Sequence, residues 1–143
     1  MKLKLFIIFF VVVSCLLGYD QTRSFYEISE GNYITVWKRL GGKCYIVFDK
    51  YYGIIKPSDW VETTNSNAIT IIKSLSTEFD YALSNDHGES VSINSTRKID
   101  YYEYESRSRF VNKYYKDGKI PSSCGYLQID IKENLAIVNG VIQ

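Results

Sequence analysis

The chain has 143 residues, enough for one globular domain and short for two. Hydrophobic residues make up 45% and charged residues 23%, near the globular mean, which excludes wholesale disorder. Net charge is +1, and with Lys2 and Lys4 set aside 15 basic side chains face 16 acidic ones, or −1. That balance excludes the basic footprint of a nucleic-acid-binding domain and gives no reason to expect a polybasic membrane patch.

Residues 1–4 (MKLK) form a short basic stretch, and residues 5–13 (LFIIFFVVV) are nine apolar residues without a charge. Extended through Gly18 the run reaches 14 residues. As helix that is about 21 Å at ~1.5 Å per residue, against a bilayer core of ~30 Å. It is short for a transmembrane span and suits the apolar region of an export signal.

At the end of this run, Val12-Val13-Ser14-Cys15 resembles the bacterial lipobox, an aliphatic residue, two small or aliphatic positions and then a cysteine. The resemblance implies thioether lipidation of Cys15, cleavage just before it and acylation of the new amino terminus. It divides the chain into a signal peptide at 1–14, a lipidated cysteine and tether at 15–23, and a β-rich domain at 24–143. Several acyl chains on one cysteine would hold firmly, since each buried CH₂ contributes ~0.8 kcal/mol and one chain anchors only marginally. The following residue is Leu16 and not Asp, which by the same resemblance implies the outer membrane of a two-membrane bacterium. Cleavage after Gly18 is the alternative, giving a secreted or periplasmic chain.

With Cys15 lipidated, Cys44 and Cys124 remain, an even number in an oxidising compartment. A disulfide between them would close a loop on the order of 80 residues and contribute up to ~4.5 kcal/mol. The other reading is two separately buried thiols packing as small hydrophobes. Without a C-x-x-C, a thioredoxin-like or zinc-ribbon role is excluded.

Beyond the tether, residues 24–28 (SFYEI) read as a strand and Glu30-Gly31-Asn32 as a turn. Residues 33–40 and 43–49 are β-rich runs flanking Gly41-Gly42, a hairpin signal because glycine supplies positive φ. The second run is apolar on both faces, as in a central strand. Residues 50–64 (KYYGIIKPSDWVETT) are irregular, interrupted by Gly53 and Pro57. Residues 68–74 return to strand. Residues 78–85 alternate, with Phe79, Tyr81 and Leu83 on one face, and after a turn at 85–88 Val91 and Ile93 repeat the alternation, predicting a second hairpin. Strand and helix compete over 99–105. Phe110, Val111, Tyr114 and Tyr115 share one helical face, predicting a short helix near 107–116 capped by Ser106 or Ser108 and ended by Asp117-Gly118. Residues 126–131 and 135–139 form a third hairpin with Leu127, Ile129 and Ile131 inward.

Hairpins plus one late helix predict a mainly β, β-rich α+β domain built on antiparallel pairing. A single small sheet, a sandwich and an open barrel are all admissible.

Candidate chemistry is sparse. His87, the only histidine, lies in a turn and reads as a solvated turn residue, and a Cys–His nucleophile pair would need Cys44 or Cys124 free beside it. Asp80, Asp100, Glu103, Glu105 and Asp130 fall on polar faces of alternating strands, which is the pattern of solvated sheet and not of a glycosidase carboxylate pair. No metal, calcium-loop, phosphate-loop or cofactor motif is present. Asn94-Ser95-Thr96 fits a glycosylation acceptor that matters only in a eukaryotic source. Tyr51, Tyr52 and Trp60, in the irregular segment, are the candidate binding surface, because Tyr and Trp give large, stiff, amphipathic contact area. Packing over the sheet as a satellite core is the other reading, and it applies equally to Tyr101, Tyr102 and Tyr104.

The sequence therefore points to an exported cell-envelope protein held to the membrane through a lipid anchor. It would act as a non-enzymatic binding domain, with a protein as candidate partner, no nucleic acid and no cofactor. The alternatives are an inhibitor or immunity-type protein against an exported toxin, and a small carboxylate-dependent hydrolase.

Overall fold

A computed structural model describes residues 2–19, 23–39 and 41–143. Its first element is the helix α1 (Lys2–Tyr19), whose apolar side chains from Leu5 to Val12 are exposed. Among the described residues no helix is long and apolar enough to cross a membrane. The tether predicted over 15–23 is helical as far as Tyr19 and Arg23 already opens a strand, while residues 20–22 of it lie outside the described residues.

The strands follow in chain order as β1 (Arg23–Ser29), β2 (Asn32–Lys38), β3 (Lys43–Val47), β4 (Trp60–Thr64), β5 (Ala68–Lys73), β6 (Tyr81–Asn85), β7 (Ser92–Asn94) and β8 (Ile99–Tyr102). A 3₁₀ turn at Tyr104–Ser106 leads into α2 (Arg107–Tyr114), and β9 (Tyr126–Asp130), β10 (Leu135–Val138) and β11 (Val141–Ile142) complete the fold. The first sheet has the order β1-β2-β3-β4-β7 and the second β11-β10-β9-β5-β6-β8. The mainly β class holds, and of the admissible architectures the chain adopts the sandwich.

Period-2 alternation decides which side chains meet between the sheets. Ile34 and Val36 of β2, Cys44 and Ile46 of β3 and Val61 of β4 face Ile69 and Ile71 of β5, Leu83 of β6, and Leu127 and Ile129 of β9 in one buried core. Polar bridges tie the ends of the sandwich. Lys38 Nζ donates to the Ile131 carbonyl and Asn134 Oδ1, and Asn139 Nδ2 donates to the Ile28 carbonyl at 2.9 Å. Gly125 lies so close to that same carbonyl that a side chain there would overlap it.

The Gly41-Gly42 hairpin forms, both glycines at positive φ, with Arg39 N–H bonded to the Lys43 carbonyl across the turn. Leu40 of the predicted strand lies outside the described residues. The third hairpin forms as β9 and β10, with Leu127, Ile129 and Ile131 buried.

The second hairpin does not form. The turn after β6 closes locally, Gly88 N–H bonding Asn85 Oδ1 at 3.1 Å, but β7 then pairs with β4 in the other sheet. Both edges of β6 are taken, by β5 on one side and by β8 on the other. Because the chain reaches β8 through this crossover, β8 returns parallel to β6, an exception to the predicted antiparallel pairing.

The predicted Cys44–Cys124 disulfide is absent, and both cysteines are free. Cys44 points into the core between the sheets, whereas Cys124 packs with α2 on the outer face of the second sheet. The second sheet separates the two thiols. Burial pushes the Cys44 thiol up to about 12, which leaves it inert.

The helix expected at 107–116 spans Arg107–Tyr114. Ser106 occupies the cap position but its side chain makes no capping bond. Beyond it, Asp117 and Gly118 at positive φ turn the chain between Lys116 and Lys119. Phe110, 1% exposed, seats α2 on Ile72 and Ala82 and forms an edge contact with Tyr102 at 5.5 Å. Phe110→Ala should therefore cost about 3–5 kcal/mol, read as a lower urea midpoint at unchanged slope. A loss below ~1 kcal/mol would show that α2 is not part of the cooperative unit.

Candidate binding surface

The outer face of the first sheet is as aromatic as its inner face is aliphatic. Cross-strand register places Arg23 opposite Trp37 and Trp37 opposite Tyr45, with Tyr45 opposite Glu62. Ring centroids lie 6.1 Å apart from Trp37 to Tyr45 and 6.1 Å from Tyr45 to Trp60. Cations cover this row. The Arg23 guanidinium lies 4.2 Å over the Trp37 ring, that of Arg39 4.4 Å over it, and Lys56 Nζ 3.5 Å over Trp60.

The loop between β3 and β4, residues 48–59, folds back across this platform. Thr35 Oγ1, wholly buried, donates to the Asp49 carbonyl at 2.6 Å and accepts from Tyr51 N–H at 3.0 Å. The Tyr51 ring lies tilted against Trp37 at 6.0 Å, and its hydroxyl donates to the Ile55 carbonyl at 2.7 Å. Arg23 clamps the loop from the side, donating to the carbonyls of Tyr51 and Gly53 at 2.9 Å each. A side chain at Gly53 would run into the Tyr51 ring, so glycine is what lets the loop close.

The apolar side chains of the loop tip lie largely in solvent. Tyr52, Ile54 and Ile55 are 64%, 79% and 73% exposed, while Pro57 behind them is buried. The Tyr52 ring has an aromatic neighbour, Phe25 at 5.0 Å.

No protein-family model matches this chain, nor does any characterised protein or solved structure.

The three aromatics singled out in the sequence separate into two roles. Tyr51 and Trp60 are half-buried members of the platform, and Trp60 is the first residue of β4 instead of part of an irregular segment. Tyr52 alone points outward. Arg23, Trp37, Tyr45, Ile54, Ile55 and Lys56 complete the surface and were not read from the sequence, although the Gly41-Gly42 register would have paired Trp37 with Tyr45. Of the second aromatic group, Tyr102 is covered by α2, Tyr101 packs against the inter-sheet core, and Tyr104 remains 51% exposed.

The other candidates are not brought together. His87 sits on an exposed turn and Cys44 in the core, so they form no nucleophile pair. Among the described residues no group of three or more metal-ligating side chains occurs. Of the carboxylates named from the sequence, Asp100 is the most engaged. Its Oδ2 accepts from Tyr114 at 2.6 Å, Lys113 at 2.7 Å and Tyr102 at 2.9 Å. Burial alone would raise Asp100, but these three donors outweigh it and hold it below the ordinary range. Asp59 is likewise lowered, burial being outweighed by bonds from Ser95 and Thr96. Asp59, Asp49 and Arg97 line a cleft of about 190 Å³, and larger clefts of about 270 and 320 Å³ flank α2.

On the platform, hydrogen bonds from Lys43 and Lys56, at 2.8 and 2.9 Å, pull Glu62 down to about 2. Below its ordinary value of 4.5 the unfolded chain takes up this proton first. The stabilisation from Glu62 is thus complete above pH 4.5 and lost as pH falls from there toward about 2. Glu62→Gln should flatten the fall of urea-unfolding free energy across that window while leaving its shape above pH 5 unchanged. An identical acid slope in the variant would remove Glu62 from the platform's electrostatics.

Proposed function

We propose that this chain is an exported, lipid-anchored cell-envelope protein whose domain acts by binding and not by catalysis. The 50–56 loop is its contact element. The observation that carries the reading is the contrast at that loop. Tyr52, Ile54 and Ile55 are held out in solvent by an ordered network beneath them, where a disordered tip would cost binding free energy to fix. Exposed apolar groups on a rigid support are the physical signature of a contact surface.

The anchor is supported by the lipobox-like residues ending in Cys15, which is exposed on α1. An inhibitor or immunity-type role would use the same loop against a toxin. A carboxylate-dependent hydrolase has less support, because it needs one carboxyl held protonated, whereas Asp59, Glu62 and Asp100 all shift toward the ionised form.

Intact-mass measurement of the membrane-fraction protein tests anchor and thiols together. The expected species begins at Cys15, carries acyl chains, and takes up two alkyl groups at Cys44 and Cys124 when denatured without reductant. An unprocessed chain beginning at Met1 and soluble in the cytosol would sink the export and anchoring reading.

A further inference from the structure

We infer that the 50–56 loop is a second membrane contact, seating Tyr52, Ile54 and Ile55 in the interfacial region of a phospholipid bilayer beside the chain's own anchor. This rests on the anchoring reading above and names the partner of that same loop.

Three observations converge on a lipid surface. The first is chemistry. The loop presents two adjacent, highly exposed isoleucines and an exposed tyrosine between Lys50 and Lys56. Branched aliphatics enter the acyl boundary, tyrosine favours the headgroup level, and lysine stems lie along apolar surface while the ammonium stays among phosphates. Lys50 Nζ lies 4.6 Å from the Tyr33 ring and Lys56 over Trp60, so both cations are held at the base of the tip. Lys56 also pairs with Glu62, which Lys43 shares, so the local balance is not acidic.

The second is position. Arg23, the first residue of β1, donates to the carbonyls of Tyr51 and Gly53 within the loop. Arg23 is also where the segment from the apolar helix enters the domain. From Cys15 to Arg23 there are eight residue steps, a reach of at most about 29 Å at ~3.6 Å per residue. A chain anchored at Cys15 keeps Arg23 within that distance of the bilayer, and the loop lies one side chain beyond it. Docking is then an intramolecular event at high effective concentration, and a small apolar tip suffices for it.

The third is orientation. The loop lies on the outer face of the first sheet, whereas α2 and the exposed Leu135 of β10 lie on the outer face of the second. Seating the loop on lipid turns the α2 side away from the membrane.

Thiol labelling of the full chain, purified from membranes and reconstituted into phosphatidylethanolamine–phosphatidylglycerol vesicles, tests the inference. Ile55→Cys and Leu135→Cys, made separately in a Cys124→Ser background that leaves only the buried Cys44 thiol besides, would be reacted with a charged, impermeant maleimide and followed by intact mass. Ile55 is 73% and Leu135 46% exposed, so on the protein alone the first thiol reacts at least as fast. On vesicles the order should invert, with labelling at position 55 slower than at 135 by about tenfold. Adding Ile54→Asp to Ile55→Cys should restore fast labelling while the protein still floats with the vesicles.

Equal or faster labelling at position 55 on floating vesicles would overturn the lipid contact and leave the loop to a protein partner, with anchoring intact. Failure of the wild-type chain to float would overturn anchoring and the contact together.

Discussion

The constraint on which this fold depends is that each sheet carries large apolar side chains on both of its faces. A sandwich satisfies the inner faces, where Ile34, Val36, Cys44 and Ile46 meet Ile69, Ile71, Leu83 and Leu127. It leaves Trp37, Tyr45 and Val47 outside on one sheet and Ile72 and Ala82 outside on the other. Each of these is nevertheless buried, because the chain supplies a further layer on each side. The 48–59 loop covers the first sheet and α2 covers the second. The domain is a sandwich with two lids, and its surface chemistry is set by what those lids leave over.

The two lids are held differently. Phe110 is a large apolar plug, whose burial contributes on the order of a few kcal/mol, and α2 follows from it. The loop is held by polar and cationic contacts. Charge-assisted hydrogen bonds such as those from Arg23 contribute ~1.5–3 kcal/mol each, more than a cation–π contact at a half-exposed ring at ~0.5–1 kcal/mol. The exposed Lys43–Glu62 pair adds little beside them, since surface pairs have a median near ~0–1 kcal/mol. Arg23 thus fixes the loop together with the buried Thr35 hydroxyl, and it does so from the point where the N-terminal segment joins the sheet. The sheet, the N-terminal segment and the 48–59 loop meet at one side chain.

Legibility in the sequence followed the range of the interactions. The Gly41-Gly42 turn and the 126–139 hairpin were readable because turn residues and adjacent strands carry the information locally. The α2 face was readable from Phe110, Val111, Tyr114 and Tyr115. The hairpin expected from β6 into residues 91–93 was not, because alternation reports which face a residue takes and is silent on which strand edge is free. The cysteine pair failed for a related reason. An even number in the expected compartment suits a bridge, but only the layer order places the second sheet between Cys44 and Cys124.

Composition, periodicity and turn chemistry determined by themselves that this chain is β-rich, that an uncharged apolar run occupies residues 5–13, and that aromatics gather in residues 50–60. These are one-dimensional quantities, and local physics reads them directly. Tertiary structure alone decided that Tyr51 and Trp60 become platform while Tyr52, Ile54 and Ile55 become surface. It also gathered Arg23, Lys50 and Lys56 on one face of a chain whose net charge is only +1. The physical reason is that exposure and local charge depend on which distant strands supply a floor beneath each residue, and that floor exists only after the sheets have closed.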